Sequence, residues 1–72
     1  MKYAIFKCIN GNFSTDSEWN NLDSAIVQFH GVCRALWNDA ETEKAMVEIV
    51  DEDFNVKPGY YELIQPTRNV DA

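Results

Sequence analysis

Tyr3-Ala4-Ile5-Phe6-Lys7-Cys8-Ile9-Asn10-Gly11-Asn12-Phe13-Ser14-Thr15 reads as two strands folded around a tight turn. Asn-Gly between two strand-like runs is the signature of a two-residue type I′ hairpin, because both central residues must take positive φ. The turn predicts a register in which Ile9 faces Asn12, Cys8 faces Phe13, Phe6 faces Thr15 and Ala4 faces Ser17. On the opposite face, Lys7 meets Ser14, Ile5 meets Asp16 and Tyr3 meets Glu18. The second set carries the charges, so it is expected to face outward. The first set, with Trp19, is expected to face the core. A slip of one residue would reverse every side chain.

Outward from the hairpin, apolar residues recur at Leu22, Ala25, Ile26, Phe29, Cys33, Leu36 and Trp37. This is the spacing of one buried helical stripe. Asp23 is the expected N-cap, with Leu22 and Val27 as a hydrophobic staple, and Asn38-Asp39 is the expected exit. Lys44 to Val50 alternates as a strand, with Ala45, Val47 and Ile49 on one face and Met46, Glu48 and Val50 on the other. Tyr60 to Gln65 alternates again, and Pro58-Gly59 marks a turn between these runs. The order is therefore ββαββ. The expectation is an α+β fold: a four-stranded antiparallel sheet in spatial order 2-1-3-4, with one helix packed on one face. Residues 1–65 form a single domain on this reading, and 66–72 form a flexible C-terminal tail with little to bury.

Composition narrows the function classes. The chain has 72 residues, 46% of them hydrophobic, which is too many for a disordered chain. A domain of this size buries only about 60% of the surface its unfolded chain exposes, so it is marginal without help. Twelve acids against six bases give a formal charge of −6. That disfavours direct contact with nucleic-acid phosphates and with anionic membranes. It suits a basic protein partner, or solubility alone. Lys7 interrupts the first apolar run, so no signal-peptide core is expected, and no stretch approaches the ~20 apolar residues of a membrane span. The expected location is the cytoplasm. Cys8 and Cys33 are accordingly expected to be reduced thiols, both pointing into the core.

Three candidate chemistries are weak in the sequence. Asp51, Asp53, Asn55 and Glu62 fall at positions 1, 3, 5 and 12 of a calcium loop, but Val56 stands where the sharp turn needs glycine, and Pro58 follows. His30 and Cys33, three apart on a helix, could share a metal only with further ligands, and Cys8 is the other thiol. As a nucleophilic pair they lack an electropositive, open setting. No glycine-rich phosphate loop and no serine elbow occur. The expectation is no catalytic residue, no metal and no cofactor. One helix cannot cover both faces of a sheet, and the expected outer face gathers Tyr3, Ile5, Met46, Val50, Tyr60 and Ile64. Such a patch on a small chain marks an interface, whereas a half-polar solvated face is the ordinary alternative for antiparallel sheets.

Asn10-Gly11-Asn12-Phe13-Ser14, then Leu22-Asp23-Ser24-Ala25 leading to Phe29-His30 and Cys33, then Glu43-Lys44-Ala45 with Asp51-Glu52, carry a resemblance. In these segments the chain resembles small uncharacterised proteins of mobile genetic elements and phage-like regions in gut-associated Gram-positive bacteria. The resemblance spans residues 1 to 65 and implies a cytoplasmic accessory role, with no functional residue to carry over. The expected function is a small non-enzymatic protein–protein interaction module, self-associating as a homodimer through the outer sheet face or holding another protein there. The alternative is an acidic nucleic-acid mimic that blocks a basic groove on a defence or regulatory protein. That would use Asp16, Glu18, Glu48, Asp51, Glu52, Asp53 and Glu62 as phosphate surrogates.

Overall fold

The computed structural model describes residues 2–66. The elements run β1 (Tyr3–Ile9), β2 (Asn12–Trp19), α1 (Leu22–Asn38), β3 (Ala45–Asp51) and β4 (Val56–Ile64). All strand pairs are antiparallel and the sheet order is β2-β1-β3-β4. The helix lies across one face, as the ββαββ order predicts. Apart from Pro66, the expected tail lies outside the described residues. Among the described residues no helix is long and apolar enough to cross a membrane.

The hairpin turn forms as its sequence dictates, with φ of 51° at Asn10 and 90° at Gly11. Asn10 then does a second job. Its side-chain Oδ1 accepts from the amides of Glu43 and Lys44 at 2.9 and 3.0 Å, and its Nδ2 donates to the Glu41 carbonyl at 3.1 Å. One residue thus shapes the β1–β2 turn and fastens the α1–β3 connection to it.

The register holds from Ile9↔Asn12 to Phe6↔Thr15 and then shifts at a bulge between Ile5 and Phe6. Beyond it Ile5 faces Ser17, Ala4 faces Glu18 and Tyr3 faces Trp19. Asp16 is the extra residue. This corrects the expected faces of the hairpin: Ala4, Phe6, Cys8 and Phe13 face away from the helix and Tyr3, Ile5 and Lys7 face it, while Trp19 packs against the core as expected. Ile5 is 0% exposed, in a core with Ala25, Phe29, Cys33, Leu36, Ala45, Val47, Ile49 and Ile64. Tyr3, Ile9, Trp19 and Tyr60 pack against the same core from the helix side. The charges misled for a physical reason. Lys7 and Asp16 both lie on the helix side and neutralise one another at 3.2 Å, while the bulge carries Glu18 to the opposite face.

The helix cap lies two residues before the expected one. Asn21 is the N-cap, and its Oδ1 accepts from the Ser24 amide at 3.1 Å. Asp23 falls in the first turn, where a carboxylate favours the helix dipole. Val27 is 73% exposed, so no Leu22–Val27 staple forms. The buried stripe is Ala25, Phe29, Cys33 and Leu36, with Leu22, Ile26 and Val32 beside it. Trp37, expected in the stripe, is 43% exposed and donates from Nε1 to Glu62.

Pro58-Gly59 is not the turn between β3 and β4. The chain reverses at Glu52-Asp53 instead. Pro58-Gly59 lies within β4, where one residue of β3, Ile49, stands against Lys57, Pro58, Gly59 and Tyr60. Gly59 takes φ of 88° there. Proline is tolerated because β4 is an edge strand, and the irregularity blunts that edge against further pairing.

Candidate interaction surface

Cross-strand pairing places three rows of four residues, twelve in all, on the face away from the helix. The first row is Phe13-Cys8-Met46-Leu63. The second is Thr15-Phe6-Glu48-Tyr61. The third is Glu18-Ala4-Val50-Val56. The first row holds no charged residue, and the twelve positions include two acids and no base. Phe13 is 76% exposed, Tyr61 54% and Leu63 49%. Phe54, in the β3–β4 turn, is 75% exposed and stacks on Phe6 with ring centroids 6.5 Å apart. Isolated exposed apolar residues are ordinary, but several large ones gathered on one sheet face form a patch.

Of the six residues expected at the interface, Met46 and Val50 lie on this face. Val50 is 2% exposed and serves as its floor. Tyr3, Ile5, Tyr60 and Ile64 lie on the helix side instead: Ile5 and Ile64 are fully buried, and the Tyr60 ring meets Phe29 edge-on at 6.0 Å. Sequence reasoning missed Phe6, Phe13, Phe54, Tyr61 and Leu63. Of these, the hairpin register does pair Cys8 with Phe13 and expects both to face the core, whereas the pair lies on the outer face.

The helix side holds a polar cluster between β2 and α1. Asp16 accepts from Lys7 Nζ at 3.2 Å, from Ser17 Oγ at 2.9 Å and from Gln28 Nε2 at 3.1 Å, and Trp19 Nε1 donates to Ser17 Oγ at 2.7 Å. Burial pushes the Asp16 carboxyl up, but the hydrogen bonds from Gln28, Ser17 and Lys7 outweigh it, and the group sits below its ordinary value. The bulge makes this possible by turning Asp16 and Ser17 to the same side.

The remaining candidates are placed apart. Asp51 Oδ1 accepts from the amides of Asp53 and Asn55 at 2.9 and 3.0 Å, so it caps its own turn. Those amides, chiefly that of Asn55, hold its carboxyl below the usual value. Glu62 is turned toward Trp37 on the helix side. Among the described residues no three of His, Cys, Asp and Glu are placed to share a metal ion. Both cysteines are free thiols. Burial, and then the Glu62 carboxylate, push Cys33 up to about 12, a value at which the thiolate is scarce at neutral pH. Cys8, expected to point into the core, is half-buried on the outer face. His30 is exposed on α1, with its ring edge-on to Phe29 at 5.4 Å. The acids expected to act as phosphate surrogates divide. Asp16 and Glu62 lie on the helix side, Glu18 and Glu48 on the outer face, and Asp51, Glu52 and Asp53 at the β3–β4 turn.

Comparison with family models, with curated proteins and with solved structures finds no match.

Proposed function

We propose that this chain is a small non-enzymatic protein–protein interaction module that binds through the outer face of its sheet. The observation that carries the reading is the patch of Phe13, Phe54, Tyr61 and Leu63, exposed together on the face the helix leaves uncovered. Both sheet edges are interrupted, β2 by the Asp16 bulge and β4 by its Pro58-Gly59 irregularity. That favours docking on the face over strand addition at an edge.

The patch favours a different protein over a second copy. Two copies stacked face to face bring Glu18 and Glu48 into a contact whose twelve positions carry no base. Burying unpaired carboxylates is costly. The mimic reading finds less support, because its seven carboxylates are spread over both sides of the sheet and Asp16 is already paired with Lys7.

The test is affinity capture from an extract of the native host with three baits. They are the wild type, the outer-face variant Phe13→Ser/Leu63→Ser, and Val27→Ser on the exposed side of α1. A protein retained by the wild type and by Val27→Ser, and lost by the outer-face variant, is the expected result. A protein retained by the outer-face variant and lost by Val27→Ser would place the binding surface on the helix and overturn the reading.

A further inference from the structure

Phe54 takes φ of 66°, a left-handed backbone that a bulky residue adopts only against strain. Its ring stays three-quarters exposed, so core burial does not offset that strain. What the conformation does achieve is a position. The ring lies over Phe6 with an interplanar angle of 27°, and the two rings wall a cavity of about 300 Å³ floored by Ala4 and Val50. That volume is at the lower limit for small-molecule sites and suits one large side chain. The rim is charged, with the carboxylates of Glu18, Asp51 and Glu52 against the single base Lys2. Asp51 is engaged by its own turn, which leaves Glu18 and Glu52 as the acids able to face a visitor. Among the described residues, Glu52 accepts only from the Lys2 backbone amide, at 3.3 Å.

We infer that this cavity is the anchor pocket of the docking face, and that it takes one large apolar side chain of a partner protein, flanked in the partner's sequence by basic residues. The inference rests on the interaction reading above and adds the chemistry of the partner. Apolar walls supply the attraction for the anchor, as at the desolvated centre of other interfaces. The acidic rim selects its neighbours by charge complementarity. A second copy does not qualify. Among the described residues, no exposed large apolar side chain has a base on each side, and Val56, beside Lys57, has one.

The test is an amide-resolved NMR titration of the whole chain with three capped tripeptides: Arg-Phe-Arg, Arg-Ser-Arg and Glu-Phe-Glu. The first is expected to give saturable shifts at Ala4, Val50 and Phe54, and the other two to bind at least tenfold more weakly. Phe54→Gly is expected to weaken the first peptide at least tenfold while circular dichroism shows the fold intact. The double variant Glu18→Gln/Glu52→Gln is expected to remove the preference for Arg-Phe-Arg over Glu-Phe-Glu while keeping its preference for phenylalanine over serine. Equal affinity for Arg-Phe-Arg and Arg-Ser-Arg would overturn the anchor. A preference for arginine that survives the double variant would overturn the rim. Shifts confined to the Phe13-Cys8-Met46-Leu63 row would overturn the pocket and leave the docking face standing. Absence of saturable shifts with Arg-Phe-Arg would overturn the pocket, with the docking face judged separately by the capture experiment.

Discussion

Ile5 faces Ile49 across the β1–β3 ladder and is fully buried beneath the helix. Ile5→Lys removes burial worth about 1.5–3 kcal/mol and places an ammonium group among apolar side chains, at a further cost of several kcal/mol. Against a total stability on the order of 5–15 kcal/mol for small domains, the expected outcome is an unfolded chain by circular dichroism. Phe13→Lys, on an exposed side chain of the outer face, is expected to stay folded. A folded Ile5→Lys beside an unfolded Phe13→Lys would mean that the two faces are interchanged. The cysteines test the same assignment by chemistry. Cys8 is half-exposed and Cys33 is buried with its thiol raised to about 12. Titration with a thiol reagent at neutral pH is expected to modify Cys8 first and Cys33 only on denaturation. Prompt modification of Cys33 in the native chain would contradict its place in the core.

The second strand and the helix are joined through Asp16, which reaches Lys7 on β1 and Gln28 on α1. Asp16→Ala is expected to cost about 1.5–3 kcal/mol, the range for hydrogen bonds to a charged group. The dependence on pH follows from the direction of the shift. A carboxyl held below its ordinary value of 3.8 contributes stability above that pH, and the contribution is lost as pH falls through the lower folded value. The stability gap between wild type and variant should therefore be full near neutrality and close below about pH 4; denaturant unfolding at several pH values measures it. A gap that widens on acidification would contradict the network. At the helix start, Asn21→Ala is expected to cost about 1 kcal/mol and Asp23→Ala less, since Asn21 is the cap. The strand order, the hairpin turn and the helical stripe were legible because each rests on local chemistry: the φ of Asn10-Gly11, the spacing from Ala25 to Leu36, and the alternation of Ala45, Val47 and Ile49. The bulge was not legible. It exists because Asp16 finds Lys7 and Gln28 in space, and neither contact is written in the spacing of β2. Without the bulge, charge points the hairpin the wrong way and puts Tyr3 and Ile5 on the outer face, whereas they belong to the helix side with Tyr60 and Ile64 of β4. The irregularity of β4 was hidden likewise, because Pro58-Gly59 is a turn signal wherever it occurs.

As a whole the molecule is a two-layer structure, helix on sheet, and beyond the sheet lies a mostly apolar face with two acids and no base among its twelve paired positions. A chain of this size has little stability to spare for an exposed patch without use. The patch composition predicts a monomer in isolation, because self-stacking would trap Glu18 and Glu48 without counter-charges. Sedimentation velocity at micromolar concentration is expected to give a single species of monomer mass, and a concentration-dependent dimer would restore the second copy as the occupant. The central claim is that the outer face, not the helix, meets the partner. Hydroxyl-radical footprinting tests it most directly, comparing the purified chain with the chain captured in complex from an extract of the native host. The account predicts loss of reactivity at Phe13, Phe54, Tyr61 and Leu63, with Val27 and Trp37 on α1 unchanged. Protection of Val27 and Trp37, with the outer-face residues still reactive, would contradict it.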